Sequence, residues 1–343
     1  MVPTPPPPPL LYLILHGCCV CIRSHGVLSS ELVEALRFDF GHLESAPVER
    51  PFATLEVYDR KEAPQKRGLP LPLVRGFRVR LSLRSRQIIY TDGTFVEFCR
   101  DSANSLKLNL FSDGFHNIRR HCDLFILSLL GEGLERRGFV RVHAMSIAKD
   151  QKAFSIMALS GTGKSTLLFN LLKSTDLKCF SDEILLVKNG RVFAFPLRLS
   201  LPGEARDPQI EKFAISETFW FERGSKRKYL WPIPQERLSS PLPLQMLFFT
   251  TREKRADVSV DSISWTDSLI FLSQIVLGLH LPQMAEIFLR FENIPHLFLT
   301  ALQRFGLGTR LLLAGRVRHL YLPTTESKHL DAKETQNLLD QFV

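Results

Sequence analysis

The segment Ala158–Leu172, ALSGTGKSTLLFNLL, carries the residue types that hold a polyphosphate. Gly161 and Gly163 allow the backbone to turn its N–H groups inward around an anion, and Gly163 leaves room for the chain to approach the phosphates. Lys164 follows where an ammonium reaches the β and γ oxygens, and Ser165 offers a hydroxyl to Mg²⁺. Ala158 stands at the first glycine position of the GxxxxGK[ST] pattern, so the tight turn is left to Gly161 and Gly163. The expected phosphate-binding residues are therefore Ser160, Gly161, Thr162, Gly163, Lys164, Ser165 and Thr166. Such a cradle needs a strand to deliver it and a helix N-terminus to face the anion. The pattern predicts both. An apolar strand ends at Leu159, and Leu167, Leu168, Leu171 and Leu172 give the following helix one packed face.

Phosphoryl transfer also needs carboxylates, one near the metal and one near the attacking hydroxyl. Asp182 and Glu183, at the end of LKCFSDE, are adjacent acids at a strand end, although solvated turn acids have the same look. His143 is tied to the loop by register. If KDQK is a turn centred on Asp150 and Gln151, residue 143 falls opposite residue 158 and beside the mouth of the loop. A strand histidine is more often a satisfied core residue, so that register is its main support. A second hairpin signal, Asn189-Gly190, pairs Val187 with Val192. Continued inward, this ladder brings Arg198 opposite Ser181, where it would contact a phosphate or hold the acidic pair.

These residues sit in the second half of a 343-residue chain, long enough for one large or two ordinary domains. Residues 1–9 form a proline-rich tail. Residues 10–138 read as a smaller α+β domain: strands at LILHGCCVCIRS, ATLEVYD, FRVRLSL and SLKLNLF, a hairpin folding at Asp92-Gly93, and helices at SSELVEALRFDFGHL and HNIRRHCDLFILSLLGEGLERRG. Residues 139–343 read as the α/β domain that carries the loop. Its strands include VRVHAMSIA, KAFSIMALS and LQMLFFTTR, and DAKETQNLLDQFV closes the chain as a helix.

Composition narrows the functional classes. With 45% apolar and 23% charged residues, the chain has a globular make-up, and its net charge of +9 favours anionic partners. The basic residues are dispersed, and no recognition helix, zinc-finger spacing or aromatic stacking signature points to nucleic acid. Cys18, Cys19 and Cys21 lack the second pair that a zinc ribbon needs and read as small apolar residues of a buried strand. No uninterrupted apolar run of membrane-spanning length occurs, and the N-terminal prolines replace the basic start of a secretion signal, so a cytoplasmic protein is expected.

Taken together, the order His143-Ala144, ALSGTGKS and Asp182-Glu183 resembles the HPr kinase/phosphorylase catalytic domain and the wider group of HprK-related kinases. That family carries a His-Gly pair on a strand, a glycine loop close to GxSGxGKS, and an Asp-Asp pair after one helix. The resemblance covers about residues 139 to 200. It implies a compact P-loop kinase domain of the HPr kinase/PEP carboxykinase type, use of ATP and Mg²⁺, and transfer of phosphate to a serine-type hydroxyl. Carried over by position, Asp182 would take the hydroxyl proton, Ser165 and Glu183 would hold Mg²⁺, and His143 would touch the phosphates. Glu183 replaces the second Asp of the family pair, and its longer reach would let it exchange roles with Asp182. The family's downstream ExRGxG signature is absent, which points to a hydroxyl-bearing protein, peptide or small molecule other than HPr, with a homo-oligomer possible. A nucleotide-binding sensor and an NTPase that transfers no phosphate are the alternatives.

Overall fold

The computed structural model describes residues 10–59, 69–70, 77–81, 86–100, 105–158, 164–174, 176–202, 221–223, 226–231, 233–250, 259–278, 281 and 293–321. The proline tail, the central loop residues Ser160, Gly161, Thr162 and Gly163, and the expected closing helix lie outside the described residues. The chain is mixed α/β. It divides into two compact units, Met1–Arg137 with Pro282–Ile294, and Gly138–Leu281 with Pro295–Val343.

The first unit is built on an eight-stranded sheet. Its strands are β1 (Leu10–Leu15), β2 (Cys18–His25), β3 (Ala53–Asp59), β4 (Leu69–Pro70), β5 (Phe77–Leu81), β6 (Arg86–Tyr90), β7 (Phe95–Arg100) and β8 (Leu106–Ser112). They run in the order β1-β2-β3-β8-β7-β6-β5-β4, with β2, β3 and β8 parallel and the other pairs antiparallel. Helices α1 (Ser29–Phe40) and α2 (Phe115–Glu135) accompany it. The stretch LILHGCCVCIRS, expected as one strand, is a hairpin. His16 and Gly17 both take positive φ (45° and 78°), a two-residue turn that folds Leu15 onto Cys18. The three neighbouring cysteines are buried in β2 as free thiols, as expected of small apolar strand residues.

The second unit carries β9 (Val140–His143), β10 (Met145–Lys149), β11 (Lys152–Met157), β12 (Lys178–Ser181), β13 (Ile184–Lys188) and β14 (Arg191–Phe193). It continues with β15 (Leu199–Pro202), β16 (Phe221–Arg223), β17 (Lys226–Trp231), β18 (Leu242–Phe249), β19 (Ser259–Ser262) and β20 (Val317–Tyr321). Its helices are α3 (Lys164–Ser174), α4 (Trp265–Leu277) and α5 (Ile294–Leu313). The main sheet runs β12-β10-β11-β18-β14-β13-β9, with β20 also beside β18 and β19 beside β20. Two turns came out as the sequence required. Asp150 and Gln151 (φ 47° and 59°) join β10 to β11 with Lys149 opposite Lys152, and Asn189 and Gly190 (φ 52° and 72°) pair Val187 with Val192.

Two cores lie on either side of the β10-β11-β18 layer. On one side Leu167, Leu168, Leu171 and Leu172 of α3 pack with Ile147, Phe154, Ile156 and Phe248. On the other, Phe249, Leu185 and Val192 pack with Phe271 and Ile275 of α4 and with Leu311 of α5. Among the described residues no helix is long and apolar enough to cross a membrane.

Candidate functional site

β11 ends at Met157 and α3 begins at Lys164, so the glycine segment joins a buried strand to a helix whose first residues are Lys164, Ser165 and Thr166. The helix is held there by its leucine face, all four leucines being buried. Lys164 Nζ donates to the backbone oxygen of Ala158 at 2.6 Å. Burial pushes the Lys164 ammonium below its usual range, and the nearby Asp182 and Glu183 carboxylates push it back up without cancelling the shift. Both acids therefore lie near enough to act on the lysine.

A direct bond also ties the first turn of α3 to the acids. Ser165 Oγ donates to Asp182 Oδ2 at 2.6 Å, and Asp182 is only 1% exposed. A hydroxyl donating to an ionised carboxylate at this distance is a strong, charge-assisted hydrogen bond. Glu183 is half-buried and so nearer solvent. The backbone holding the two acids is fixed by Ser181, which the sequence reading passed over. Its buried Oγ accepts the N–H of Glu183 at 3.3 Å and of Ile184 at 3.0 Å. A serine just before an acidic pair at a strand end was the available signal, since its hydroxyl can cap the turn that follows.

The acids sit at a corner that two strands share. VRVHAMSIA is not one strand: it breaks at Ala144 into β9, which pairs with β13, and β10, which pairs with β11 and β12. The antiparallel partner breaks at Asp182-Glu183, between β12 and β13. His143 pairs with Ile184 and Ser146 with Ser181, so both segments pass from one end of the main sheet to the other between the same two rungs. Corners and bulges of this kind re-aim side chains at the edge of a site.

This corner corrects the expected position of His143. The β10–β11 ladder stops at Met145 opposite Ile156, and His143 pairs with Ile184 instead of residue 158. The histidine thus lies in register next to the acidic pair. Arg198 is also displaced from its expected partner. The β13–β14 ladder ends with Leu186 opposite Phe193, and Phe195 N–H bonds to Phe180 O at 2.9 Å, so the hairpin register does not run on to set Arg198 against Ser181.

Of the residues chosen from sequence, the structure brings Lys164, Ser165, Asp182 and Glu183 together and sets His143 in register beside the acids. Thr166 follows in the first turn of α3. The oxygen set suits Mg²⁺, which is commonly held by one or two carboxylates together with phosphate oxygens. Among the described residues no group of three or more His, Cys, Asp or Glu side chains forms a dedicated metal cage. No protein-family model matches the chain, and no curated protein matches it.

Proposed function

We propose that the chain is an ATP-dependent kinase, related in plan to the HPr kinase/PEP carboxykinase type, that moves the γ-phosphoryl group to a serine-type hydroxyl. The observation that carries this reading is the 2.6 Å bond from Ser165 at the start of α3 to the buried Asp182, with Lys164 beside both acids. Two acids of unequal burial next to a lysine and a helix N-terminus suit phosphoryl transfer better than anion binding alone.

The geometry supports an exchange of the roles carried over from the resemblance. Asp182, bonded to Ser165, belongs with it as the metal-side pair. Glu183, adjacent and nearer solvent, is then the base. The Mg²⁺ ion would neutralise charge on the β and γ phosphates. Glu183 accepts the proton as the acceptor oxygen bonds to phosphorus, and the bond from phosphorus to the β-phosphate oxygen breaks, releasing ADP. Lys164 balances charge on the transferring group, and the N-terminus of α3 adds its dipole.

The test uses γ-labelled ATP and Mg²⁺ with host extract split into protein and small-molecule fractions. Wild type, Lys164→Ala, Asp182→Asn and Glu183→Gln are run side by side. Label moving to an acceptor with wild type alone supports the kinase. Glu183→Gln is expected to keep MgATP binding and lose transfer. Binding with no labelled acceptor in any fraction points to a sensor, and free phosphate released without an acceptor points to an NTPase.

A further inference from the structure

β18 is the parallel neighbour of β11, and Met157 lies opposite Phe249. Thr250 N–H bonds to Met157 O at 2.9 Å, which closes that last rung and holds the residue after Phe249 alongside the end of β11. Thr250 and Ala158 are each the next residue past that parallel rung, and the Ala158 carbonyl accepts the Lys164 ammonium. Strand alternation fixes the face of Thr250. Phe248 packs against the leucines of α3 and Phe249 packs on the opposite side, so Thr250 shares the α3 face with Phe248.

Thr250 is 2% exposed, and its buried Oγ1 has no hydrogen-bond partner among the described residues. A threonine hydroxyl rotates freely and in a sheet readily finds a carbonyl, so a buried one without a partner calls for an explanation. Its position supplies one. It lies on the flank of β11 opposite β10 and β12, which carry the strand leading to Asp182. A terminal phosphate beside Lys164 would thus be approached by the acids from one side and by Thr250 from the other.

We propose that Thr250 is a further substrate-contacting residue, its hydroxyl donating to the terminal phosphate of the bound nucleoside triphosphate. This rests on the kinase reading of the same loop. It makes the hydroxyl a group that tells a triphosphate from a diphosphate.

The experiment is calorimetric binding of MgATP and MgADP to the full chain, as wild type, Lys164→Ala, Thr250→Val, Thr250→Ala and Thr250→Ser. A hydrogen bond to a charged oxygen predicts that Thr250→Val weakens MgATP binding by about tenfold or more and MgADP binding by less than about twofold. Thr250→Ser is expected to restore the preference for ATP. Thr250→Ala is a second hydroxyl-free variant should Val pack poorly. The nucleotide-free Thr250→Val protein is expected to melt no lower than wild type, since it loses no internal hydrogen bond. If wild type and Lys164→Ala both fail to bind MgATP, the nucleotide reading falls and this proposal with it. If wild type binds and Lys164→Ala does not, but both hydroxyl-free variants match wild type, Thr250 alone is overturned. Equal weakening of ATP and ADP also overturns the assignment to the terminal phosphate.

Discussion

A hydroxyl and a carboxylate 2.6 Å apart, with the carboxylate 1% exposed, form a coupled pair within the site. In the nucleotide-free protein a double-mutant cycle with Ser165→Ala and Asp182→Asn is expected to give a coupling of about 1–2 kcal/mol, read from denaturant unfolding. Additive effects would mean the bond contributes little. Lys164 makes a different prediction. Burial lowers its pKa in the fold, so the charged form is less welcome there than in the unfolded chain. That penalty is complete below the folded pKa and is relieved as pH rises through it toward the unfolded value of about 10. Lys164→Met should therefore melt at or above the wild-type temperature at pH 7, with any advantage shrinking at high pH. A clearly lower melting temperature at pH 7 would show that the bond to Ala158 outweighs desolvation.

At the scale of elements, the site depends on the corner where β9 becomes β10 and β12 becomes β13. Ser181 is wholly buried and accepts two backbone N–H groups there. Ser181→Ala leaves Glu183 and Ile184 N–H groups short of an acceptor and is expected to lower stability by about 1–3 kcal/mol. It should also weaken Mg²⁺-dependent nucleotide binding more than Mg²⁺-free binding, since it loosens the turn that aims the acids. Unchanged Mg²⁺ dependence would separate the turn from the site. The corner also shows what the sequence could and could not disclose. Asp150-Gln151, Asn189-Gly190 and the α3 leucine face are local signals, and the chain follows each of them. The break at Ala144 is not local. An alanine among apolar strand residues looks like more strand, and only pairing with β13 turns β9 aside. Arg198 failed for a related reason: extrapolating a hairpin register assumes an unbroken ladder, and this one ends at Phe193. The His16-Gly17 turn was legible in principle, since a glycine between two apolar runs can close a two-residue hairpin.

For the whole molecule, a chain that divides into two compact units predicts an unfolding process that is not two-state. Calorimetry of the full chain is expected to resolve two transitions, and two independent handles assign them. The first handle is MgATP, which on the proposed kinase reading would bind residues of the second unit and stabilise it by RT ln(1 + [L]/Kd), about 2.7 kcal/mol at a hundredfold excess over Kd. It should raise one transition and leave the other in place. The second handle lies in the first unit, where Asp92 in the β6–β7 turn accepts from Thr94 N–H at 2.9 Å and pairs with His121 of α2 at 2.8 Å. Burial pushes the Asp92 carboxyl up, but the His121 and Thr94 hydrogen bonds outweigh it and leave the group below its ordinary value. An acid held low in the fold contributes stability that is complete above the unfolded carboxylate pKa of about 4 and is lost as pH falls through the folded value. Asp92→Asn should therefore lower the MgATP-insensitive transition at pH 7, and its difference from wild type should close as the pH is taken into the acid range. If instead both handles move the same transition, the two units unfold together and share one cooperative core.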